Sequence, residues 1–318
     1  MLSRRSILAG LATTPLLGTR AFAAGPLTVV ATTGMIADAA RAIGGDLVNV
    51  RALMGPGVDP HGYRQTRSDI VAMTRADLLL WNGLFLEAQL EHFIETLAAR
   101  VPVAAVGEAT PKDQLLHHAD YENRPDPHIW MAPQLWRHAV VATRDALIAQ
   151  RPDATEAFTA NAAAYLVQVD RVGDYAATST AQIPQEARVL VTAHDAFGYF
   201  GRQFGFEVMG IQGISTDSEA GLQRIRTLVD EIVQRKISAV FVETSVSDRN
   251  IRALIEGAAA QGHTVKIGGE LFSDAMGEPG TYEGTYVGMI DHNVTVIAGA
   301  LGADVPEGGM DGKLNAKV

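Results

Sequence analysis

Cysteine is missing from all 318 positions. No disulfide can form, and no lipid can be attached to a cysteine at a signal junction. Basic residues are in short supply: 26 Lys and Arg stand against 36 Asp and Glu, a net charge of −10. That balance argues against nucleic acid and anionic lipid as partners and mildly favours a cationic ligand. A long hydrophobic run is also lacking at the N-terminus, where residues 7–17 give eleven apolar or small residues and a bilayer span takes roughly 20. No stable membrane insertion is expected. H-E-x-x-H, G-x-S-x-G and P-loop patterns are absent, which removes the common hydrolase and nucleotide signatures.

What is present begins with residues 1–24, MLSRRSILAGLATTPLLGTRAFAA. A twin arginine (Arg4, Arg5), the short apolar run and the ending Ala21-Phe22-Ala23 have the layout of a secretory signal leaning toward the twin-arginine route. Export is therefore expected, with a mature chain free in a bacterial periplasm from about Ala24 or Gly25. Cleavage removes Arg4, Arg5 and Arg20 and no acidic residue, so the net charge moves from −10 to −13. About 290 residues remain, enough to bury a large core without disulfides and long enough for two domains.

Short β-branched runs alternate with helical periods along the mature chain. Strands are predicted at Leu27–Ala31, 48–54, Leu78–Trp81 and 101–106, with helices at 35–43, 68–74 and 86–97. The alternation resumes with strands at 188–192, 208–211, 239–242 and 265–267. Such alternation predicts an α/β fold with parallel sheets flanked by helices. Between the two runs, 152–181 is Ala-rich and carries no strand signal. It reads as a helix of roughly 45 Å, with Pro152 in its first turn, Pro184 closing the segment, and Gly173 a candidate break. The expected organisation is a signal at 1–24, an α/β lobe at 25–150, one long rigid linking helix at 151–183, and a second α/β lobe at 184–318.

Nine histidines are available, and their placement is unequal. His61 (Asp-Pro-His61-Gly-Tyr), His128 (Asp-Pro-His128-Ile-Trp) and His194 (Thr-Ala-His194-Asp) each follow a predicted strand, and so does Asp274 (Leu-Phe-Ser-Asp274-Ala-Met). Ligands of open parallel sheets bind beyond the carboxyl ends of strands. Three imidazoles and one carboxylate suit a borderline ion such as Zn²⁺, and Pro60 and Pro127 stiffen two of the turns. A lone loop histidine is more often simply solvated; the joint placement after four strands carries the reading. His92, His138 and His292 fall in helical segments and are expected at surface or boundary positions. His117 and His118 lie in the polar loop 112–126, and His263 in a helix-to-strand turn. Gly44-Gly45 and Gly268-Gly269 read as turn punctuation. A zinc hydrolase stays open as an alternative, with Glu243 its best base, although hydrogen bonding to a loop or helix end is the commoner use of such a residue.

Four segments in order, Pro-Gly-x-Asp-Pro-His61-x-Tyr with Thr66 and Asp69 following, Asp-Pro-His128-Ile-Trp-Met, Thr-Ala-His194-Asp-Ala-Phe-Gly-Tyr-Phe and Leu-Phe-Ser-Asp274-Ala-Met-Gly, resemble the zinc- and manganese-binding solute-binding proteins of ABC importers. The resemblance covers the mature chain. It implies two α/β lobes, a single rigid helix between them, and one metal at their interface held by His61, His128, His194 and Asp274. It also implies a membrane permease and an ATPase as partners, a monomer, and no enzymatic activity. In that family a histidine in third place looks like the zinc or mixed members, and a glutamate like the manganese binders. His194 therefore points to Zn²⁺, with Mn²⁺ the alternative. The polar loop departs from the His-rich loop of many zinc members, since it holds only His117 and His118.

Overall fold

The computed structural model describes residues 25–118, 121 and 124–314; the signal read at 1–24 lies outside them. Strands β1 (Leu27–Ala31), β2 (Val48–Ala52), β3 (Leu78–Trp81) and β4 (Val103–Ala105) form one parallel sheet in the order β2-β1-β3-β4. Two further parallel pairs follow: β5 (Val189–Thr192) with β6 (Glu207–Gly210), and β7 (Ala239–Glu243) with β8 (Lys266–Leu271). Fully apolar β3 and largely apolar β5 are buried on both faces, as parallel strands under helices must be.

Helices α1 (Gly34–Gly44), α2 (Arg67–Thr74), α3 (Glu91–Leu97) and α4 (Pro133–Gln150) belong to the first half of the chain. The long helix is α5 (Thr155–Ala181), 27 unbroken residues preceded by a 3₁₀ turn at Pro152–Ala154. Gly173 does not break it; a Cβ there would come 3.3 Å from the Pro133 ring, so the glycine is a packing contact with α4. The second half adds α6 (Gly198–Phe204), α7 (Leu222–Arg235), α8 (Arg249–Ala260) and α9 (Tyr286–Ala300). Helix α5 is no bare strut, because α1, α4 and α9 all pack against it. Its buried Phe158, Val169, Val172 and Ala176 join a single apolar cluster that runs from Val29 to Ala298. Among the described residues no helix is long and apolar enough to cross a membrane.

Three expectations need correction. The helix expected at 86–97 begins only at Glu91. Before it, Leu84 and Phe85 adopt left-handed backbone, φ 55° and 66°, because the chain folds back to place the Glu87 carboxylate under the end of β3. Gly268 and Gly269 are not a turn but lie inside β8, where Cβ atoms would meet the Phe241 ring at 2.7 Å and Val296 at 2.4 Å. His292 is buried, since α9 is enclosed on nearly all sides, and its ring nitrogen meets the Glu270 carbonyl at 2.9 Å.

Glu87 itself is fully enclosed and accepts from Thr32 Oγ1 (2.6 Å), Asn82 N (2.8 Å) and Gly83 N (3.1 Å). Burial outweighs these bonds and pushes its carboxyl up to about 7. With the folded value above the unfolded one, its contribution to stability is fully present below about pH 4.5 and is lost as pH rises through about 7. In metal-stripped protein, raising pH from 5 to 8 should shift the stability difference between wild type and Glu87→Gln in favour of the variant, by on the order of 3 kcal/mol. Urea unfolding at both pH values measures it; a constant difference would mean that Glu87 is ionised throughout.

Candidate metal centre

The two Asp-Pro-His segments fold alike. In each, the aspartate Oδ1 accepts the histidine backbone N–H two residues on, at 2.9 Å for Asp59 with His61 and 2.9 Å for Asp126 with His128. This is an Asx-turn, with the intervening proline limiting the backbone. Asp126 Oδ1 also meets His128 Nδ1 at 2.6 Å. His128 then opens a 3₁₀ turn at Ile129–Met131. Trp130 in that turn donates from Nε1 to the carbonyl of Ser273 at 2.8 Å, fixing the backbone beside Asp274 from the other half of the chain.

His194 stands two residues beyond β5, and Glu243, the last residue of β7, grips it twice. Glu243 Oε1 accepts the His194 backbone N–H at 2.9 Å and Oε2 meets Nδ1 at 2.5 Å. Glu243 thereby holds a proton on Nδ1, so Nε2 is the nitrogen left to meet an ion once it gives up its own proton. Asp274 follows β8 by three residues. Glu243 is thus a hydrogen-bonding residue facing His194, the commoner of the two uses considered for it.

The four side chains meet. His61 Nε2 and His128 Nε2 are 3.3 Å apart, and Asp274 lies 3.4 Å from His128 Nε2, 3.1 Å from His194 Nε2 and 3.9 Å from His61 Nε2. One donor atom from each falls within 4.8 Å of the other three, and no residue of the four is more than 2% exposed. Two donors each about 2.0–2.1 Å from a tetrahedral Zn²⁺ stand about 3.3 Å apart. The three closest pairs, at 3.1–3.4 Å, match that spacing. His194 Nε2 and both Asp274 oxygens, all buried, make no well-aligned hydrogen bond and meet only the charge of the cluster itself, a costly state for groups that serve only the fold.

Charge is distributed accordingly. Burial alone would drive the His128 imidazolium down, but Asp126 and Asp274 outweigh it and hold its value at about 9. His194 is likewise raised against burial by Asp274 and Glu243. Burial would raise Asp274, yet the two imidazoliums bring it well below the usual carboxylate range. His61 is pushed down to about 3 by burial, with the other two rings adding repulsion and Asp274 opposing. Of the remaining histidines, His117 and His118 stay in the polar loop, where His117 forms an isolated bridge with Pro125. Among the described residues no second group has donors at metal spacing.

A parallel α/β chain that closes three imidazoles and one carboxylate into a dry cluster at its strand ends is a metal-binding protein. The family described as zinc-uptake complex component A, periplasmic (ZnuA), matches residues 29–300, and the chain belongs to it. It is a periplasmic metal-binding component of metal ABC importers, not an enzyme. It is 46% identical over 275 residues to the manganese-binding lipoprotein MntA of Bacillus subtilis (strain 168), covering 86% of this chain and 90% of that protein. It is 47% identical over 281 residues to the zinc-binding protein TroA of Treponema pallidum (strain Nichols), covering 88% and 91%. The solved structure of the periplasmic zinc-binding TroA from Treponema pallidum is similar with a TM-score of 0.85 at 46% identity, covering 87% of this chain and 99% of that one.

Proposed function

We propose that this protein captures one divalent transition metal, zinc by preference, on His61, His128, His194 and Asp274, and hands it to the permease and ATPase of an ABC importer. It does so as a monomer, free in the periplasm once residues 1–24 are removed. Lobes at 25–150 and 184–318 carry two ligands each, with 151–183 as the stiff element between them. The observation that carries the metal choice is His194, an imidazole rather than a carboxylate, made a better donor by Glu243 behind it. Manganese is the second reading, favoured by MntA, to which the chain is nearly as similar as to TroA.

Imidazole suits Zn²⁺ and carboxylate oxygen the harder Mn²⁺, but the Irving–Williams order places zinc above manganese at almost any such site. The test is therefore a change in the ratio. His194→Glu should weaken zinc binding while manganese binding holds or improves, narrowing the ratio at least roughly tenfold, or about 1.4 kcal/mol. Because Glu243 stands behind this position, the substitution is read beside the double variant His194→Glu/Glu243→Gln, which removes the like charge. Competition titrations with both metals measure it, and an unmoved ratio in both variants would remove the basis for preferring zinc.

A further inference from the structure

The loop 211–221, between β6 and α7, touches the segments of two histidines from opposite halves of the chain. Gln212 Nε2 donates to the carbonyls of Thr216 (3.4 Å) and Ser218 (3.1 Å), holding the loop in a compact turn. On one side the Gly213 carbonyl accepts the backbone N–H of Asp195, the residue after His194, at 3.2 Å. On the other side Thr216 Oγ1 donates to Asp59 Oδ2, and the remaining oxygen of that carboxylate accepts the His61 N–H at 2.9 Å. The two strands of contact run close together, since a Cβ on Gly62 would sit 3.7 Å from Asp217 Oδ1. Asp59 therefore has two jobs: it shapes the turn that aims His61, and it ties that turn to the other half of the chain.

We propose that Thr216 is a positioning residue for metal capture: through Asp59 it clamps the His61 loop shut, so that loop 211–221 straps the His61 and His194 segments together and sets how fast the metal leaves. The inference rests on His61 being a ligand, as proposed above. His61 cannot swing away with its loop while Asp59 is held, so the Thr216–Asp59 bond must break before release. Capture can begin at the other three side chains before the strap closes, which places the effect on the off-rate.

The experiment loads the full protein with one equivalent of Zn²⁺ and follows its transfer to an excess of a chromophoric chelator. Thr216→Val keeps the shape of the side chain and loses the hydroxyl. Its release should be about tenfold faster, about 1.4 kcal/mol, with association unchanged, and Thr216→Ser should restore the wild-type rate. Hydrogen exchange on the loaded proteins separates a clamp from general loosening: the His61 amide should exchange faster in Thr216→Val while amides of β1 and β3 stay as protected as before. Should the valine variant not fold, Thr216→Ala makes the same comparison. Wild-type protein that takes up no zinc overturns the ligand reading underneath. Wild-type protein that takes it up, but releases it within about twofold of the variant's rate, or a variant that loosens all strands equally, overturns the strap alone.

Discussion

Asp274→Ala should lower zinc affinity at least roughly a hundredfold, about 2.7 kcal/mol. Asp274 supplies the only carboxylate of the four-residue cluster. Its two oxygens make no well-aligned hydrogen bond, and they face three imidazole Nε2 atoms at 3.1–3.9 Å. Removing the side chain deletes one inner donor and, with it, the negative charge that offsets a divalent ion in a pocket closed to water. The neighbouring acids do not replace it, because Asp126 and Glu243 are each turned to the Nδ1 side of a ring. Asp274→Asn, which keeps a carbonyl oxygen in place but not the charge, should fall between wild type and alanine. Competition titration of chelator-stripped protein measures all three. Alanine-variant affinity within about threefold of wild type would mean that the ion is held elsewhere.

The cluster was legible in the sequence because each of its four side chains follows a strand, and strands are the elements that local patterning marks best in this chain. Runs such as LTVVA and LLLW are short and rich in apolar residues, LLLW buried throughout and LTVVA from Val29 to Ala31, so composition and length agree. The failures arose where a distant contact overrides local pattern. At 84–90 the apolar residues have helical spacing, but the buried Glu87 carboxylate draws the backbone N–H groups of Asn82 and Gly83 into a left-handed turn. At Gly268-Gly269 two residues that usually mark turns are needed in a strand because Phe241 and Val296 crowd it. The residues behind the cluster divide in the same way. Asp126 acts on His128 from two positions away, so the repeated Asp-Pro-His could have revealed both Asx-turns. Glu243 reaches His194 across 49 positions, and Thr216 reaches Asp59 across 157; nothing in a single sequence pairs them.

Glu243→Gln should cost roughly tenfold or more in zinc affinity without touching a ligand atom, the usual size for a hydrogen-bonded acid behind a ligating histidine. The wild-type carboxylate does three things at His194. It accepts the backbone N–H at 2.9 Å, fixing the turn after β5. It binds the ring at Nδ1, 2.5 Å away, fixing its plane. Its charge favours a proton on Nδ1 and raises the basicity of Nε2, the atom that faces Asp274 at 3.1 Å. Glutamine can keep the backbone bond through its carbonyl oxygen, but its amide then presents N–H to Nδ1, and the tautomer that satisfies it leaves the proton on Nε2. A ring in that state cannot ligate until it rearranges. The loss should therefore be larger than for Glu243→Ala in one respect: alanine leaves the ring free to choose its tautomer, glutamine selects the wrong one. Nitrogen-15 chemical shifts of the His194 ring in metal-free protein, followed through its deprotonation at high pH, report which nitrogen keeps the proton, and titration reports the affinity. A glutamine variant that binds zinc as tightly as wild type, with Nδ1 still protonated, would remove Glu243 from the machinery that aims His194.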